Sequence, residues 1–297
     1  MSITGTRLTV FWVDEIKKGG VSQHADDLVM IERPETKEGE VQVKVLAFGL
    51  NRMDILQRQG LYPLPPEYPK SLGVEFSGII EKSNSQDWKH GEHVFGLAYG
   101  GAYAEYISVD ARMIVKKPES LSWEEAASIP ENWLTSYQAL IWIGQLKKGS
   151  KVLIHGGASG IGIAAIQLAK SIGVAEIFTT AGTEEKVNFL MSLGATQAMN
   201  YKEVDFSREI DSVTKGSGVD FILDLVGQSY WNSNIKSLSK DGKLVLLGLL
   251  SGGKIQTPVE LGPILFKRLK IEGTTLRSRS IDYQCQEDPQ SGYPQGI

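Results

Sequence analysis

From Lys151 to Ala169 the chain runs K-V-L-I-H-G-G-A-S-G-I-G-I-A-A-I-Q-L-A, and the chemistry such a stretch can do is the holding of phosphate. Gly156, Gly157, Gly160 and Gly162 carry no Cβ, so the backbone can turn tightly and come close to a ligand. Val152, Leu153, Ile154 and His155 ahead of them suit a strand. Ile161, Ala165, Leu168, Ala169 and Ile172 after them fall on one face of a helix. The N–H groups and positive dipole at the start of that helix attract a pyrophosphate. Strand, glycine turn and helix together predict a dinucleotide cradle, with a purely structural turn as the plain alternative.

Two enzymatic rivals fail on particular residues. Ser159 sits where a hydrolase nucleophile elbow would place its serine, but G-x-S-x-G breaks at Ile161 and no histidine follows Ser159 in the chain. A short-chain dehydrogenase would carry a Tyr-x-x-x-Lys pair downstream, and no tyrosine here has lysine four places on.

In a dinucleotide fold the end of the second strand selects the cofactor. An acid about 20 residues past the glycines would hold the ribose 2′-OH of NAD. Here that place reads Thr180-Ala181-Gly182-Thr183, uncharged and small, with Lys186 one turn on. A lysine beside an acid-free pocket predicts the 2′-phosphate of NADP, the alternative being a solvated helix lysine.

These groups need elements to hold them. Residues 1–126 carry short alternating runs, at 41–48, 73–81, 93–97 and 104–109, and predict a mostly β domain. Pro63, Pro65, Pro66 and Pro69 mark a loop, since proline cannot donate to a ladder. From Ser122, an N-cap with Glu125 three places on, the pattern changes. Strands at 151–155, 176–181, 196–201, 219–225, 243–247 and 269–275 alternate with helices at 161–171, 184–193, 206–213, 230–238 and 259–266. The fold class is α/β: a doubly wound parallel sheet over residues 127–276, with the remnant 277–297 returning to the first domain.

A chain of 297 residues accommodates two such cores. A net charge of −4 argues against a nucleic-acid footprint. The single cysteine, Cys285, excludes an intrachain disulfide framework and fits a reducing compartment. No apolar run reaches the roughly 18 residues that span a bilayer, and the N-terminus lacks a signal core. The expectation is a soluble cytoplasmic protein, with no nucleic-acid or membrane partner.

Several longer motifs, in order, resemble the zeta-crystallin-like quinone oxidoreductases of the medium-chain dehydrogenase/reductase superfamily, among them the p53-inducible members. They are F-G-L-N-R-M-D-I-L-Q-R-Q-G-L-Y-P at 48–63, I-P-E-N-W-L-T-S-Y at 129–137 and L-I-H-G-G-A-S-G-I-G at 153–162. T-A-G-T-E-E-K at 180–186, L-D-L-V-G-Q-S-Y-W at 223–231 and L-R-S-R at 276–279 extend the match. The resemblance implies a GroES-like N-terminal domain beside a Rossmann sheet, and a homodimer. It implies that Asn51, Asp54 and Tyr62 line the substrate side of the cleft. Thr135, Gly157, Ser159, Gly160, Ile161 and Gly162 would serve the nicotinamide and phosphates. Gly182, Thr183, Lys186 and Tyr201 would serve the 2′-phosphate end, and residues 248–253, Gly248 and Leu249 among them, would pass the nicotinamide amide. Taken from the residues alone, Asn51 could equally cap a turn and Tyr62 pack against prolines.

Zinc-dependent relatives hold a catalytic metal at positions that here carry Asn51, Val74 and Glu131, and the cysteine-rich structural zinc loop has no counterpart. Asparagine and valine cannot complete that site, and His24, His90, His93 and His155 have no zinc spacing, so no metal is expected. The implied activity is zinc-independent reduction of a quinone by NADPH. A conjugated alkenal or enone is the alternative substrate, and a cofactor-binding but inactive chain the third reading. The end Q-C-Q-E-D-P-Q-S-G-Y-P-Q-G-I departs from the family, lacks any period and predicts a replaced or truncated, disordered tail after about residue 284.

Overall fold

The structure, a computed structural model, describes residues 7–11, 28–62 and 68–285, the first strand and the start of the second by backbone alone. The tail beyond Cys285 and the prolines Pro63, Pro65 and Pro66 lie outside the described residues. The chain divides into two compact units, one of residues 1–131 and 277–297 and one of 132–276.

The first unit is mostly β. Strands β1 (Arg7–Phe11) and β2 (Leu28–Glu32) pair antiparallel on their own. Then come β3 (Glu40–Phe48), helix α1 (Arg52–Arg58), β4 (Glu75–Ser83), β5 (His93–Leu97), β6 (Tyr106–Asp110) and β7 (Ile114–Lys116). The last five strands form one antiparallel sheet in the order β6-β3-β4-β5-β7. Val41, Val43, Phe76, Ile80, Val94, Ile107, Val109 and Ile114 fill its core at alternate positions, as a half-buried sheet requires. Helix α2 (Trp123–Ala127) starts at Ser122, whose hydroxyl accepts from the Glu125 N–H at 3.1 Å while the Glu125 carboxylate accepts from the Ser122 N–H at 2.8 Å.

The second unit takes up the chain within α3 (Pro130–Tyr137) and continues with one π-helical turn at Gln138–Ile143. There follow β8 (Lys151–Ile154), α4 (Gly160–Ile172), β9 (Glu176–Ala181), α5 (Glu184–Leu193), β10 (Gln197–Asn200) and α6 (Phe206–Val213). The series ends with β11 (Val219–Asp224), α7 (Trp231–Ser237), β12 (Leu238–Leu246), α8 (Gly262–Phe266) and β13 (Lys270–Gly273). Six parallel strands lie in the order β10-β9-β8-β11-β12-β13, which reverses direction beside β8. Val152 and Ile154 point to one apolar core with Ala165, Ile166 and Phe221. Leu153, between them, points to the other with Phe178, Ile210 and Ile222. Both faces are thus covered, which makes the doubly wound fold.

Two boundaries depart furthest from the periodic pattern. The predicted helix over 259–266 begins only at Gly262, because Pro263 is tolerated in a first turn and not within a helix. Strand β12 begins at Leu238, five residues before the apolar run that announces it, and its register against β11 shifts between Val219 and Phe221. A short helix α9 (Ile281–Gln284) belongs to the first unit. Among the described residues no helix is long and apolar enough to cross a membrane.

Candidate functional site

In the second unit the glycine turn links β8 to α4. Gly156 has φ +63, a conformation that favours glycine. A Cβ on Gly162 would lie 2.5 Å from the carbonyl oxygens of both Gly156 and Gly157, so the helix can sit this close to the turn only without one. On Gly157 it would meet Thr179 Oγ1 at 2.0 Å, and on Gly160 the Asn132 carboxamide at 2.4 Å. Ser159 is the N-cap: its Oγ donates to the Gly156 carbonyl at 2.7 Å and accepts from the Gly162 N–H at 3.1 Å. The serine that resembled a nucleophile is therefore spent on holding the turn. The N–H groups of Gly160 and Ile161, in the first turn of a 13-residue helix, have no intrahelical acceptor and are aimed out of its positive end.

At the far end of the cradle, Thr183 caps α5, accepting from the Lys186 N–H at 3.3 Å, and Lys186 is exposed in the first turn of that helix. Gly182 leaves room for Tyr201, whose hydroxyl oxygen would be 2.7 Å from a Cβ there, and the Tyr201 side chain is 47% exposed. The structure thus brings Gly182, Thr183, Lys186 and Tyr201 to one end of β9 and β10. Thr135 is buried in α3, beside Ser136, whose hydroxyl donates to the Ile161 carbonyl at 3.0 Å. Gly248 and Leu249 follow β12, where the Gly248 N–H donates to the Asp224 carbonyl at 3.3 Å and Leu249 is exposed.

In the first unit a second polar cluster gathers around α1. Asn51 is its N-cap residue, and the Asn51 Nδ2 donates to Glu75 Oε1 at 2.8 Å. Glu75, at the start of β4 and almost wholly buried, also accepts from the Glu131 N–H at 2.8 Å. Gly49 lies so close to it that a Cβ would come within 2.0 Å of the carboxylate. Asp54 is buried too: its carboxylate accepts from the Asn51 N–H at 2.9 Å, the Gly73 N–H at 3.1 Å and the Tyr103 hydroxyl at 2.9 Å. Burial pushes both carboxyls above the usual range, and their hydrogen bonds pull them back. Asp54 and Glu75 orient the cluster; the Asn51 side chain closes a capping box with Asp54 and retains one carboxamide hydrogen beyond its bond to Glu75.

Tyr62 lies under the guanidinium of Arg277, whose carbon is 5.6 Å from the ring centre. Burial raises the Tyr62 pKa, so the phenol stays protonated and can donate to a carbonyl oxygen. Arg277 is itself nearly buried; it donates to Gln57 Oε1 at 2.8 Å and, through Nε and Nη2, to the Tyr99 carbonyl. Val74, which the resemblance set at a zinc-ligand position, is packed into the core. Among the described residues no three His, Cys, Asp or Glu side chains gather as metal ligands do.

Sequence patterns passed over Glu75, Tyr103 and Arg277, which join this cluster from 24, 49 and 220 residues away from their partners Asn51, Asp54 and Gln57. The one available signal for Arg277 was its place in L-R-S-R.

Comparison with known proteins agrees with this two-part fold. A family model described as zinc-binding dehydrogenase matches residues 160–288, and one described as alcohol dehydrogenase GroES-like domain matches residues 37–119. Over 250 residues the chain is 33% identical to a Homo sapiens protein named quinone oxidoreductase, covering 82% of this chain and 74% of that one. The chain belongs to the quinone oxidoreductase family of the medium-chain dehydrogenase/reductase superfamily. Quinone oxidoreductases are oxidoreductases with the two kinds of fold described above. The Escherichia coli quinone oxidoreductase solved in complex with NADPH superposes with a TM-score of 0.77 at 31% identity, over 93% of this chain and 81% of that one. The synaptic vesicle membrane protein VAT-1 homolog of Danio rerio is 36% identical over 227 residues, 75% of this chain, which spans 46% of that relative's length.

Proposed function

We propose that the chain binds NADPH on the second unit and reduces a quinone without a metal ion. The observation that carries the cofactor reading is the turn in which a Cβ on Gly162 would strike two backbone carbonyls, beside two outward N–H groups at the start of α4. Gly160, Ile161 and the Ser159-capped turn would hold the pyrophosphate, and Gly157 keeps the turn flush against β9. Thr183, Lys186 and Tyr201 would take the 2′-phosphate, with the Lys186 ammonium supplying the charge. Thr135, Gly248 and Leu249 would border the nicotinamide. When bound, NADPH supplies a hydride.

A quinone accepts that hydride readily because the negative charge spreads onto oxygen, so a polar group there does what a Lewis acid does elsewhere. Asn51 and Tyr62 are the donors the first unit offers, while Asp54 and Glu75 keep Asn51 in place. Asn51 and Val74 at positions of zinc ligands support the metal-free reading. Conjugated alkenals and enones present the same carbonyl oxygen and are the second reading. We further propose a homodimer, on the edge position of β13 and the exposed Leu261, Leu265 and Phe266 beside it, and a cytoplasmic location, on the single cysteine that fits a reducing compartment.

The test is steady-state NADPH oxidation with a quinone and an alkenal side by side, before and after exhaustive chelation. Turnover of the quinone, undiminished by chelation, is expected. NADPH binding with neither substrate reduced would leave a cofactor-binding chain without this activity, and loss of activity on chelation would end the metal-free reading.

A further inference from the structure

Behind the glycine turn the second unit holds a buried chain of polar groups. Asp224 closes β11, His155 follows β8, Thr180 lies in β9 and Asn234 in α7, and none is more than 1% exposed. The rings of Phe206 and Tyr230 cover the imidazole at 4.8 and 4.7 Å. Asp224 Oδ1 accepts from the N–H groups of Val226 at 2.7 Å and Gly227 at 3.2 Å. Asn234 Nδ2 meets Asp224 Oδ2 at 3.0 Å, and Asn234 Oδ1 meets His155 Nε2 at 2.7 Å. His155 Nδ1 meets Thr180 Oγ1 at 3.1 Å, and Thr180 Oγ1 meets the N–H of Gly156 at 3.3 Å.

The direction of every bond follows from the first. Above about pH 6, where Asp224 is ionised, its carboxylate only accepts, so Asn234 must turn its Nδ2 to Asp224 and its Oδ1 to the ring. Nε2 then carries the hydrogen. Burial holds the imidazole neutral, its pKa lowered to about 4, so Nδ1 has a free lone pair. The Thr180 hydroxyl donates to that lone pair and keeps its own lone pairs for the Gly156 N–H. Gly156 is the residue that enters the turn at positive φ.

We infer that Asp224, Asn234, His155 and Thr180 are positioning residues for the dinucleotide turn, a hydrogen-bond chain of fixed polarity that sets the His155 tautomer and, through Thr180, the seat of Gly156. Its effect on binding rests on the cofactor reading above; its polarity does not. Merely satisfying buried polar groups would tolerate either direction. A chain with a carboxylate at one end and a turn amide at the other tolerates one.

The test uses the full chain, first without cofactor. Nitrogen-15 spectra of the imidazoles should show His155 as the Nε2–H tautomer. In Asp224→Asn the new carboxamide must keep its oxygen toward the Val226 and Gly227 N–H groups, so its nitrogen faces Asn234. Asn234 then turns over, and the Nδ1–H tautomer is expected. Thr180→Val, nearly isosteric, keeps the acid end intact and carries the test if Asp224→Asn does not fold. It should retain the Nε2–H tautomer, speed hydrogen exchange at Gly156 and weaken NADPH binding about tenfold, the worth of one buried hydrogen bond. An Nδ1–H tautomer in the unaltered chain, an unchanged tautomer in Asp224→Asn, or unchanged Gly156 exchange in Thr180→Val would each overturn the inference. Tautomer and exchange results as expected in a chain that does not bind NADPH would uphold the chain's hold on the turn and sink the cofactor reading alone.

Discussion

The glycine turn of the second unit takes its polar groups from a few consecutive residues, Gly156 to Gly162, and aims them with a helix that begins there. The cluster of the first unit is assembled from afar: Asn51 meets Glu75, Asp54 meets Tyr103, and Gln57 meets Arg277. The turn works with backbone amides and the absence of side chains. The cluster works with buried carboxylates that must each find several donors. Local construction depends on what cannot be added, and remote construction on what cannot be removed. The two sites should accordingly fail in different ways.

The largest effect is expected from removing a carboxylate. Asp54→Ala leaves the Asn51 and Gly73 N–H groups and the Tyr103 hydroxyl without their acceptor, and should destabilise the first unit by about 4 kcal/mol. Quinone turnover should collapse while NADPH affinity, read by calorimetry, persists. Loss of cofactor binding as well would erase the contrast between the sites. Adding one methyl group to the turn comes next. Gly162→Ala drives a Cβ against two backbone carbonyls that cannot yield, at a cost of about 3 kcal/mol and, by the same measure, roughly 100-fold in NADPH affinity. Native affinity in that variant would mean that the turn does not need the closeness described.

Charge reversal at the exposed end is smaller. Lys186→Glu should remove about 2 kcal/mol of NADPH binding and leave NADH binding nearly intact, as competition titrations with the two cofactors would read. Equal affinities in the unaltered chain would remove Lys186 from the site.

The smallest effect is one of pH. His155, lowered from 6.5 to about 4 by burial, holds fewer protons when folded, so its contribution to stability is present above pH 6.5 and is lost as pH falls toward 4. Asp224, raised from 3.8 to about 6 by burial, holds more protons when folded, so its ionisation lowers stability as pH rises through that window. Between about pH 4 and 6 the two slopes oppose each other. Asp224→Asn removes one of them and should reveal a loss of up to about 1.4 kcal/mol per pH unit on acidification, measured as melting temperature against the unaltered chain. Parallel profiles for the two proteins would show that His155 does not titrate as its burial requires.

The same contrast explains what could be anticipated from the chain. The succession of six strands alternating with helices and the glycine turn were legible because period, glycine spacing and capping are local: Ser122 caps as the Glu125 three places on suggests, and the structure adds Ser159 and Thr183 as caps. Residues 156–162 and 180–186 stood out for the same reason, as short runs that a local pattern can mark. Glu75, Tyr103 and Arg277 carry no local signature, and only the folded sheet brings them to α1. His155 was visible as a residue beside a serine, but its actual partners, Thr180 and Asn234, lie 25 and 79 positions on. Asp54 and Asn51 were recognisable as a pair through their motif. What could not be seen there is how many buried donors Asp54 alone must satisfy.

The buried Arg277 also bears on the order in which the chain can acquire its structure during synthesis. Its bonds to Gln57 and to the Tyr99 carbonyl span 220 and 178 positions, and the Tyr99 hydroxyl donates to the Arg279 carbonyl at 2.7 Å. Every residue of the second unit, 132–276, leaves the ribosome before the guanidinium that ties the closing segment to the first. The second unit, contiguous in sequence, can therefore finish while the first still waits with Gln57 and Tyr99 unsatisfied. Vectorial growth thus favours a nucleotide-binding core that matures early and a β unit that is completed last, its interval of exposure set by the rate of translation.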